Sequence, residues 1–242
     1  MKRTRTSIAC FVIMAAAGAH AHAHAGVHHG YLAPSEAPDS LFILPPPPAA
    51  DSAAFLNDEA HYRRDNVRAG RSRMAMAIKD ADYLHIGAIF SQAFGHTIDR
   101  NTLPALSALM EKMLADSHDA AVSSAKKHYR RIRPFVFYNA HSCTPQRDAK
   151  LARGGSYPSG HATYGWAIAL VLAEINPARQ DALLKRGYDY GESRVVCGAH
   201  WQSDVEAGRV MGSAIVAALH GNQEFMAALA AAKQEFAAIR AR

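Results

Sequence analysis

Residues 191 to 204 read Gly-Glu-Ser-Arg-Val-Val-Cys-Gly-Ala-His-Trp-Gln-Ser-Asp and place Arg194, His200 and Asp204 in a fixed order. His200 and Asp204 are four residues apart, so their side chains share one face if the stretch is helical. A carboxylate beside an imidazole fixes the tautomer of the ring and supports positive charge on it. An arginine close by can hold an anion through two parallel hydrogen bonds. Alone, the stretch also fits a metal-ligand pair or a buried hydrogen bond.

A second segment, residues 126 to 134, contains two cations at a helical spacing. Lys126 and Arg133 are seven residues apart, about two helical turns, so we expect them on one face of a helix. The pattern predicts a helix from residue 120 to 132 that Pro134 ends. Charge runs usually belong to solvated surfaces, and the other cations of this run are interpreted in that way: Lys127, Arg130 and Arg131.

A third segment, residues 155 to 161, reads Gly-Ser-Tyr-Pro-Ser-Gly-His and precedes an apolar run. Pro158 and Ser159 are typical of a helix start. The first-turn amides of Ser159, Gly160 and His161 are then expected to be free to bind an oxyanion, helped by the helix dipole. Gly160 would let the backbone approach the anion closely. Alone, this segment also fits an ordinary capped helix with His161 exposed.

The composition is that of a globular protein with one sizeable core. The chain has 242 residues, of which 49% are hydrophobic and 20% charged. The formal net charge is +6, but Lys2, Arg3 and Arg5 lie in the first 25 residues, and without them 24 basic and 21 acidic residues remain. The resulting charge of +3 is too small to indicate a nucleic-acid polymer as partner.

Residues 1 to 25 have the pattern of a secretory signal peptide. A basic start is followed by an apolar run from Ile8 to Gly18, and then by repeated Ala-His-Ala up to Ala25. We predict cleavage near Ala25 and a periplasmic or secreted location, with Cys10 removed along with the signal. The apolar run is too short to span a membrane, and no later stretch is long and apolar enough to do so.

Two cysteines follow the signal, Cys143 and Cys197. Because exported proteins meet an oxidising environment, a disulfide is favoured over two buried thiols. It would close a loop of 54 residues, which corresponds to about 4 kcal/mol in the chain-entropy model.

The rest of the sequence predicts an all-α, single-domain helical bundle with its polar motifs at helix ends. Residues 26 to 50 form a proline-rich N-terminal arm, extended around Pro45 to Pro48, and residues 51 to 242 form the helical domain. A helical stripe covers residues 72 to 94 and stops at Gly95, and Pro104 begins another helix. Residues 135 to 157 are expected to be a long loop with one strand-like run at 135 to 138. Further helices are predicted over residues 159–175, 178–196, 204–220 and 223–242.

The three polar segments together carry a family resemblance. Lys-x6-Arg-Pro at 126–134, Pro-Ser-Gly-His at 158–161 and Ser-Arg-x5-His-x3-Asp at 193–204 resemble the signature of the type 2 phosphatidic acid phosphatase (PAP2) superfamily, with no departure at a signature position. The fuller sequences of the second and third segments resemble those of the secreted bacterial class A nonspecific acid phosphatases. This resemblance covers essentially the whole chain after the signal.

The resemblance implies a role for each site residue. His200 would be the nucleophile that forms a phosphohistidine, and Asp204 would orient it. His161 would be the general acid for the leaving group and then the base for water. The phosphoryl oxygens would be bound by Lys126, Arg133, Ser159, Gly160 and Arg194. No metal or other cofactor is expected, phosphate, sulfate or vanadate could occupy the site, and a protonated His161 would favour acidic pH.

The implied function is a periplasmic or secreted acid phosphatase that hydrolyses phosphate monoesters of broad range, with phosphotransfer to alcohols as a competing outcome. Small phosphomonoesters are the expected partners, and a homo-oligomer, a dimer or higher, is the expected assembly. Nucleotides, sugar phosphates and aryl phosphates all remain open as substrates. The alternatives are a vanadium-dependent haloperoxidase, a membrane lipid phosphatase, which the absence of spans argues against, and a phosphate-binding module without catalysis.

Overall fold

The computed structural model describes residues 30–241, and within that range the chain forms helices and no β-strand. The predicted all-α fold is therefore confirmed, while the predicted signal peptide lies outside the described residues. The α-helices are α1 (Ser40–Ile43), α2 (Ala53–His61), α3 (Arg71–Asp80), α4 (Ile86–Phe94), α5 (Pro104–Leu114), α6 (Ser123–Tyr129), α7 (Pro134–Phe137), α8 (Asp148–Ala152), α9 (Gly160–Ile175), α10 (Gln180–Val196), α11 (Gln202–Leu219) and α12 (Gln223–Arg240).

Helix α9 is the centre of the bundle. Its sequence is apolar on every side, and nearly all of its residues are buried, which is the pattern of a helix that other helices surround. Both α10 and α11 pack along it. The approach of α10 is close, because a Cβ at Gly165 would lie 2.1 Å from the Tyr190 ring. A larger residue at position 165 would push the two helices apart.

The outer helices close the bundle around this centre. Helix α12 packs on α5, and α10 also contacts α3 and α4. The start of α5 is capped from α12, since Glu235 accepts hydrogen bonds from the Ala105 and Leu106 amides at 2.9 and 3.0 Å. Pro104 is the first residue of α5, as predicted. A residue 130 positions away along the chain thus supplies the hydrogen-bond acceptor for an amide in the first turn of α5.

The proline-rich arm runs over the surface of the bundle. Asp116 accepts the amides of Tyr31 and Leu32 at 2.8 and 3.0 Å, and the Tyr31 ring packs edge-on against Phe225 at 5.4 Å. Further along, the Tyr157 hydroxyl donates to the Pro45 carbonyl at 2.8 Å. The arm also contains the short helix α1, which the sequence did not predict.

Several predicted boundaries were wrong. The stripe from 72 to 94 is two helices, α3 and α4, separated by a 3-10 turn at Tyr83–His85, although it does stop at Gly95, whose φ is 86°. The strand-like run at 135 to 138 is the short helix α7, because Pro134 sets the φ angle for a helix start. The expected long loop therefore contains α7, a 3-10 turn at Pro145–Arg147 and α8.

The helix predicted over residues 120 to 132 is shorter than expected. Helix α6 ends at Tyr129, and Arg130 takes the left-handed conformation with φ 45°. Lys126 and Arg133 are therefore not on one helix, and Pro134 begins a helix instead of ending one. The chain turns at Arg130, and Arg133 approaches the site from an extended segment.

The disulfide between Cys143 and Cys197 is present, as predicted. The Cys143 amide also donates to the Cys197 carbonyl at 2.8 Å. Together these bonds join the loop after α7 to the end of α10, next to the segment that carries His200.

In the part of the chain that is described, no helix combines the length and the apolar character that crossing a bilayer requires.

Candidate active site

The starts of α9 and α11 lie side by side, and the three polar segments meet there. The Ser159 amide donates to the Asp204 carbonyl at 2.9 Å. One turn further along α11, a Cβ at Gly208 would lie 2.7 Å from the Ser159 carbonyl oxygen, so only glycine permits this approach. The two helix starts thereby bring the Pro-Ser-Gly-His segment next to the segment with His200.

His200 and Asp204 form the predicted pair, but not on one helical face. Helix α11 begins at Gln202, after His200, and Asp204 lies in its first turn. The Asp204 Oδ2 atom accepts the Trp201 amide at 2.9 Å, as expected at a helix start. The same oxygen lies 3.3 Å from Nδ1 of His200. The chain turn before the helix brings the two side chains together.

The hydrogen bonds of His200 define its tautomer. Nη1 of Arg133 lies 2.9 Å from Nε2 of His200. A guanidinium can only donate, so Nε2 accepts and the ring proton belongs on Nδ1, which faces Asp204. Burial, with Arg133 and Lys126 nearby, lowers the pKa of His200 well below its ordinary value. The ring is therefore neutral, with an unprotonated nitrogen at Nε2.

Asp204 is held by residues that the sequence analysis did not assign to the site. Ser156 donates its hydroxyl to Oδ2, and Nη1 of Arg131 lies 2.6 Å from Oδ1. Nη2 of Arg131 in turn donates to Asp58 at 2.7 Å. Arg131 was expected on a solvated face, and that expectation was wrong, because its side chain is only 8% exposed. No sequence signal links residue 58 to residue 204, whereas Ser156 stands inside the quoted Gly-Ser-Tyr-Pro-Ser-Gly-His segment.

The cations of the second segment converge although they do not share a helix. Nζ of Lys126 and Nη2 of Arg133 donate to the same Gly155 carbonyl oxygen, at 2.9 and 3.3 Å. Desolvation lowers the pKa of Lys126 to about 7 and that of Arg133 to about 10, and Arg133 adds to the shift at Lys126. Two cations this close favour an anion between them.

Arg194 is a buried cation that lacks partners. It is 2% exposed, and its Nε and Nη1 atoms have no hydrogen-bond acceptor within the described residues. Burial lowers its pKa to about 10. A guanidinium without a carboxylate is costly in a protein interior, so it needs an explanation. An oxyanion ligand would supply the missing acceptors.

His161 lies in an aromatic setting with one hydrogen bond. Its Nε2 atom lies 3.1 Å from the Ala81 carbonyl, and the rings of Tyr83, His118 and Tyr190 surround it at 5.1, 5.3 and 6.3 Å. Because a carbonyl only accepts, Nε2 carries the proton of the neutral ring. Burial, followed by the charge of Arg194, lowers the pKa of His161 well below its ordinary value.

The start of α9 differs in part from the expectation. Ser159 caps the helix, and its hydroxyl accepts the Ala162 amide at 3.3 Å. Its own amide is used by Asp204, so the prediction that this amide is free was wrong. Gly160 is required for close packing on protein, since a Cβ there would lie 2.6 Å from the His118 carbonyl oxygen. The amides of Gly160 and His161 are in the first turn, where an α-helix leaves N–H groups without intrahelical acceptors.

These groups border a cleft of about 680 Å³, a size typical of small-molecule sites. Lys126, Arg133, Gly160, His161 and His200 line it. Arg194 lies outside this lining set, behind the two histidines to whose lowered pKa values its charge contributes. Among residues 30–241, no three His, Cys, Asp or Glu side chains are grouped so that they could hold a metal ion.

Comparison with known proteins agrees with the motifs. A sequence model of the PAP2 superfamily matches residues 105–225. The chain is 50% identical to a non-specific acid phosphatase of Providencia stuartii over 212 residues, which is 87% of this chain and 86% of the relative. It is 41% identical to a non-specific acid phosphatase of Salmonella typhimurium, over 84% of this chain and 82% of the relative. An acid phosphatase of Zymomonas mobilis is 40% identical, over 81% of this chain and 75% of the relative.

These relatives confirm the predicted enzyme class, and they do not favour the haloperoxidase alternative. Their identity extends over most of the chain, and the family match covers all three polar segments. The chain therefore belongs to the PAP2 superfamily and, within it, to the bacterial class A non-specific acid phosphatases.

Proposed function

We propose that this chain hydrolyses phosphate monoesters of broad range by passing the phosphoryl group first to His200 and then to water. The observation that carries the proposal is the hydrogen-bonding of His200. Its Nε2 is unprotonated and accepts a hydrogen bond from Arg133, Nδ1 is 3.3 Å from Asp204, and the residue lines the cleft. An unprotonated imidazole nitrogen whose ring is backed by a carboxylate is an activated nucleophile.

In the first step the Nε2 electron pair of His200 forms a bond to phosphorus as the bond from phosphorus to the ester oxygen breaks. The His200 ring becomes positively charged, and Asp204 stabilises that charge through the Nδ1 proton. His161, as an imidazolium, gives a proton to the departing oxygen, which leaves as an alcohol. The product is a phosphohistidine and a neutral His161.

In the second step His161 takes a proton from water, and the water oxygen bonds to phosphorus while the bond to Nε2 breaks. Inorganic phosphate leaves and His200 returns to its neutral form. An alcohol in place of water would give a new phosphate ester, which is the proposed phosphotransferase reaction.

The phosphoryl oxygens are assigned to five groups, of which Lys126, Arg133 and Gly160 line the cleft. Phosphoryl transfer depends mainly on positioning and on neutralising charge, and three cations plus helix-start amides supply both without a metal ion. Arg194 supports this assignment most directly, because its unpaired nitrogens need acceptors. The five groups are Lys126, Arg133 and Arg194, the Ser159 hydroxyl and the Gly160 amide.

Binding of the substrate dianion also explains how His161 acquires its proton. Burial and then the charge of Arg194 lower the pKa of His161, and an anion bound to Arg194 would offset the second of these effects. The reaction is therefore expected to be favoured at acidic pH.

The test is to trap the phosphorylated enzyme. We expect acid quenching to destroy the labile phosphohistidine, and alkaline quenching during turnover of a labelled ester to retain label on His200. The variant His200→Ala should carry no label and lose turnover by at least about 10⁴-fold, while Lys79→Gln, on an exposed lysine that does not line the cleft, should behave as wild type. Turnover that persists in His200→Ala would reject the mechanism, and loss of wild-type activity in EDTA would reject a metal-free site.

We further propose export to the periplasm or medium and assembly as a homo-oligomer. Export is supported by the signal-like residues 1 to 25 and by the Cys143–Cys197 disulfide. Assembly is supported by the arm, where the consecutive residues Leu41, Phe42 and Ile43 of α1 are all exposed, because a contiguous exposed apolar patch often marks an interface. N-terminal sequencing of the exported protein and light scattering of wild type and Phe42→Ser would test the two proposals.

A further inference from the structure

A second set of cations lies around the mouth of the cleft, outside the groups assigned to the phosphoryl oxygens. Lys127 lies on α6 and Arg130 directly follows that helix. Lys150 lies on α8 and Arg153 directly follows it. All four are exposed and line the same cleft as His161 and His200. We refer to them as the outer cations: Lys127, Arg130, Lys150 and Arg153.

The outer cations differ from other exposed cations in their ionic contacts. Within residues 30–241 none of the four forms a salt bridge, whereas other exposed cations do, as in Arg100 with Glu111 and Lys185 with Asp189. The cleft has a single carboxylate in its lining, Asp119, which already accepts a hydrogen bond from His118 at 2.8 Å. Like charges gathered at one opening repel each other unless an anion comes between them.

Backbone contacts fix the outer cations relative to the inner ones. Nε of Arg133 donates to the Leu151 carbonyl of α8 at 2.8 Å, and Lys127 follows Lys126, whose Nζ bonds Gly155. The backbone segments that carry the outer cations are therefore held beside the residues assigned to the phosphoryl group, and the four side chains line the same cleft.

The groups proposed to bind the reacting phosphoryl group do not include the outer cations. In the proposed function, Lys126, Arg133 and Arg194 already supply three positive charges for one phosphate dianion, and the cleft of about 680 Å³ has room for more than a phosphate. We propose that the outer cations bind a second phosphate group of the substrate, so that the enzyme favours small organic bisphosphates over monophosphates. This inference rests on the proposed function and names its preferred substrate class.

The matched substrates are fructose 6-phosphate and fructose 1,6-bisphosphate, which share one sugar and differ in one phosphate. Initial phosphate release is measured at pH 6.5 and low salt, with kcat/KM counted per phosphate group. We expect kcat/KM for the bisphosphate to be roughly tenfold higher in the wild type, and this preference to collapse in 0.5 M salt.

The variants remove charge from either the cleft or another surface. We expect Lys150→Gln with Arg153→Gln to bring the ratio of the two kcat/KM values close to one, and Lys150→Arg with Arg153→Lys to keep it high. The control pair, Arg68→Gln with Lys79→Gln, removes two exposed unpaired cations outside the cleft and should leave the ratio unchanged. Melting temperatures and turnover of p-nitrophenyl phosphate identify variants that have lost their fold.

The outcomes separate this inference from the function on which it rests. No turnover of p-nitrophenyl phosphate by the wild type would reject the proposed function itself. A wild type that hydrolyses both sugar phosphates equally well would overturn the second-phosphate site alone. An equal fall of the ratio in the control pair would also overturn it, because the preference would then come from the overall charge.

Discussion

The two histidines of the site stand in contrasting surroundings. His200 is held on both ring nitrogens, by Arg133 at 2.9 Å and by Asp204 at 3.3 Å. His161 has one hydrogen bond, to the Ala81 carbonyl at 3.1 Å, and is otherwise surrounded by rings. Burial lowers the pKa of both. The first ring is fixed in one tautomer, whereas the second can gain or lose a proton without breaking a network.

This difference matches the work that each histidine is proposed to do. A nucleophile must keep one nitrogen unprotonated and in place, which a network of hydrogen bonds achieves. An acid that later becomes a base must change its charge in every turnover, and a dense network would oppose one of its two states. The following experiments test whether the contrast is real, from the largest expected effect to the smallest.

The substitution Asp204→Asn should have the largest effect, because it removes the carboxylate that fixes His200 and stabilises its positive charge. We expect kcat to fall by about 10³- to 10⁴-fold. Steady-state kinetics with p-nitrophenyl phosphate measure the loss, and sulfate inhibition shows whether the anion site survives. A loss smaller than tenfold would mean that Asp204 only supports the start of α11.

The substitution His161→Ala should discriminate between leaving groups. A poor leaving group such as glycerol needs its proton, so kcat/KM for glycerol phosphate should fall by about 10²- to 10³-fold. Nitrophenolate leaves without help, so kcat/KM for p-nitrophenyl phosphate should fall much less. Equal losses for both esters would contradict the general-acid assignment.

The substitution Arg131→Gln tests the network behind His200. It removes a charged hydrogen bond to Asp204, and we expect kcat to fall by about 10- to 100-fold. The inhibition constant of sulfate should stay nearly constant, because Arg131 bonds Asp58 and Asp204 and is not assigned to the anion. Since the variant leaves the buried Asp58 without its cation, although Ser203 still donates to it, the double variant with Asp58→Asn serves as the folding control. A change in sulfate affinity without a change in kcat would contradict the positioning role.

The smallest effect concerns pH and Lys126, one of the cations near His200. Burial lowers the pKa of Lys126 to about 7, so it is charged below that pH and neutral above it. Because sulfate stays a dianion, its affinity should weaken as pH rises above 7, by about tenfold per pH unit at most. The variant Lys126→Arg keeps its charge and should flatten this dependence. Sulfate affinity that does not change with pH in the wild type would show that Lys126 is charged throughout.

The sequence predicted which residues form the site better than it predicted the backbone path that brings them together. Helix α9 was predictable because it is apolar on all sides and has a capping Ser159. The end of α6 was not, because Arg130 adopts a left-handed conformation that non-glycine residues seldom take. Arg131 and Asp58 were missed because the contact of Arg131 with Asp204, and that of Asp58 with Arg131, depend on tertiary packing, which no local pattern records.

The arm also sets an order for folding. Its attachment depends on residues at the start of α12, since Asn222 donates to the Tyr31 carbonyl at 2.9 Å and the Tyr31 ring packs on Phe225. The arm can therefore take its place on the bundle only after Asn222 and Phe225 have been synthesised. A nascent or translocating chain that has not yet reached these residues lacks this closure.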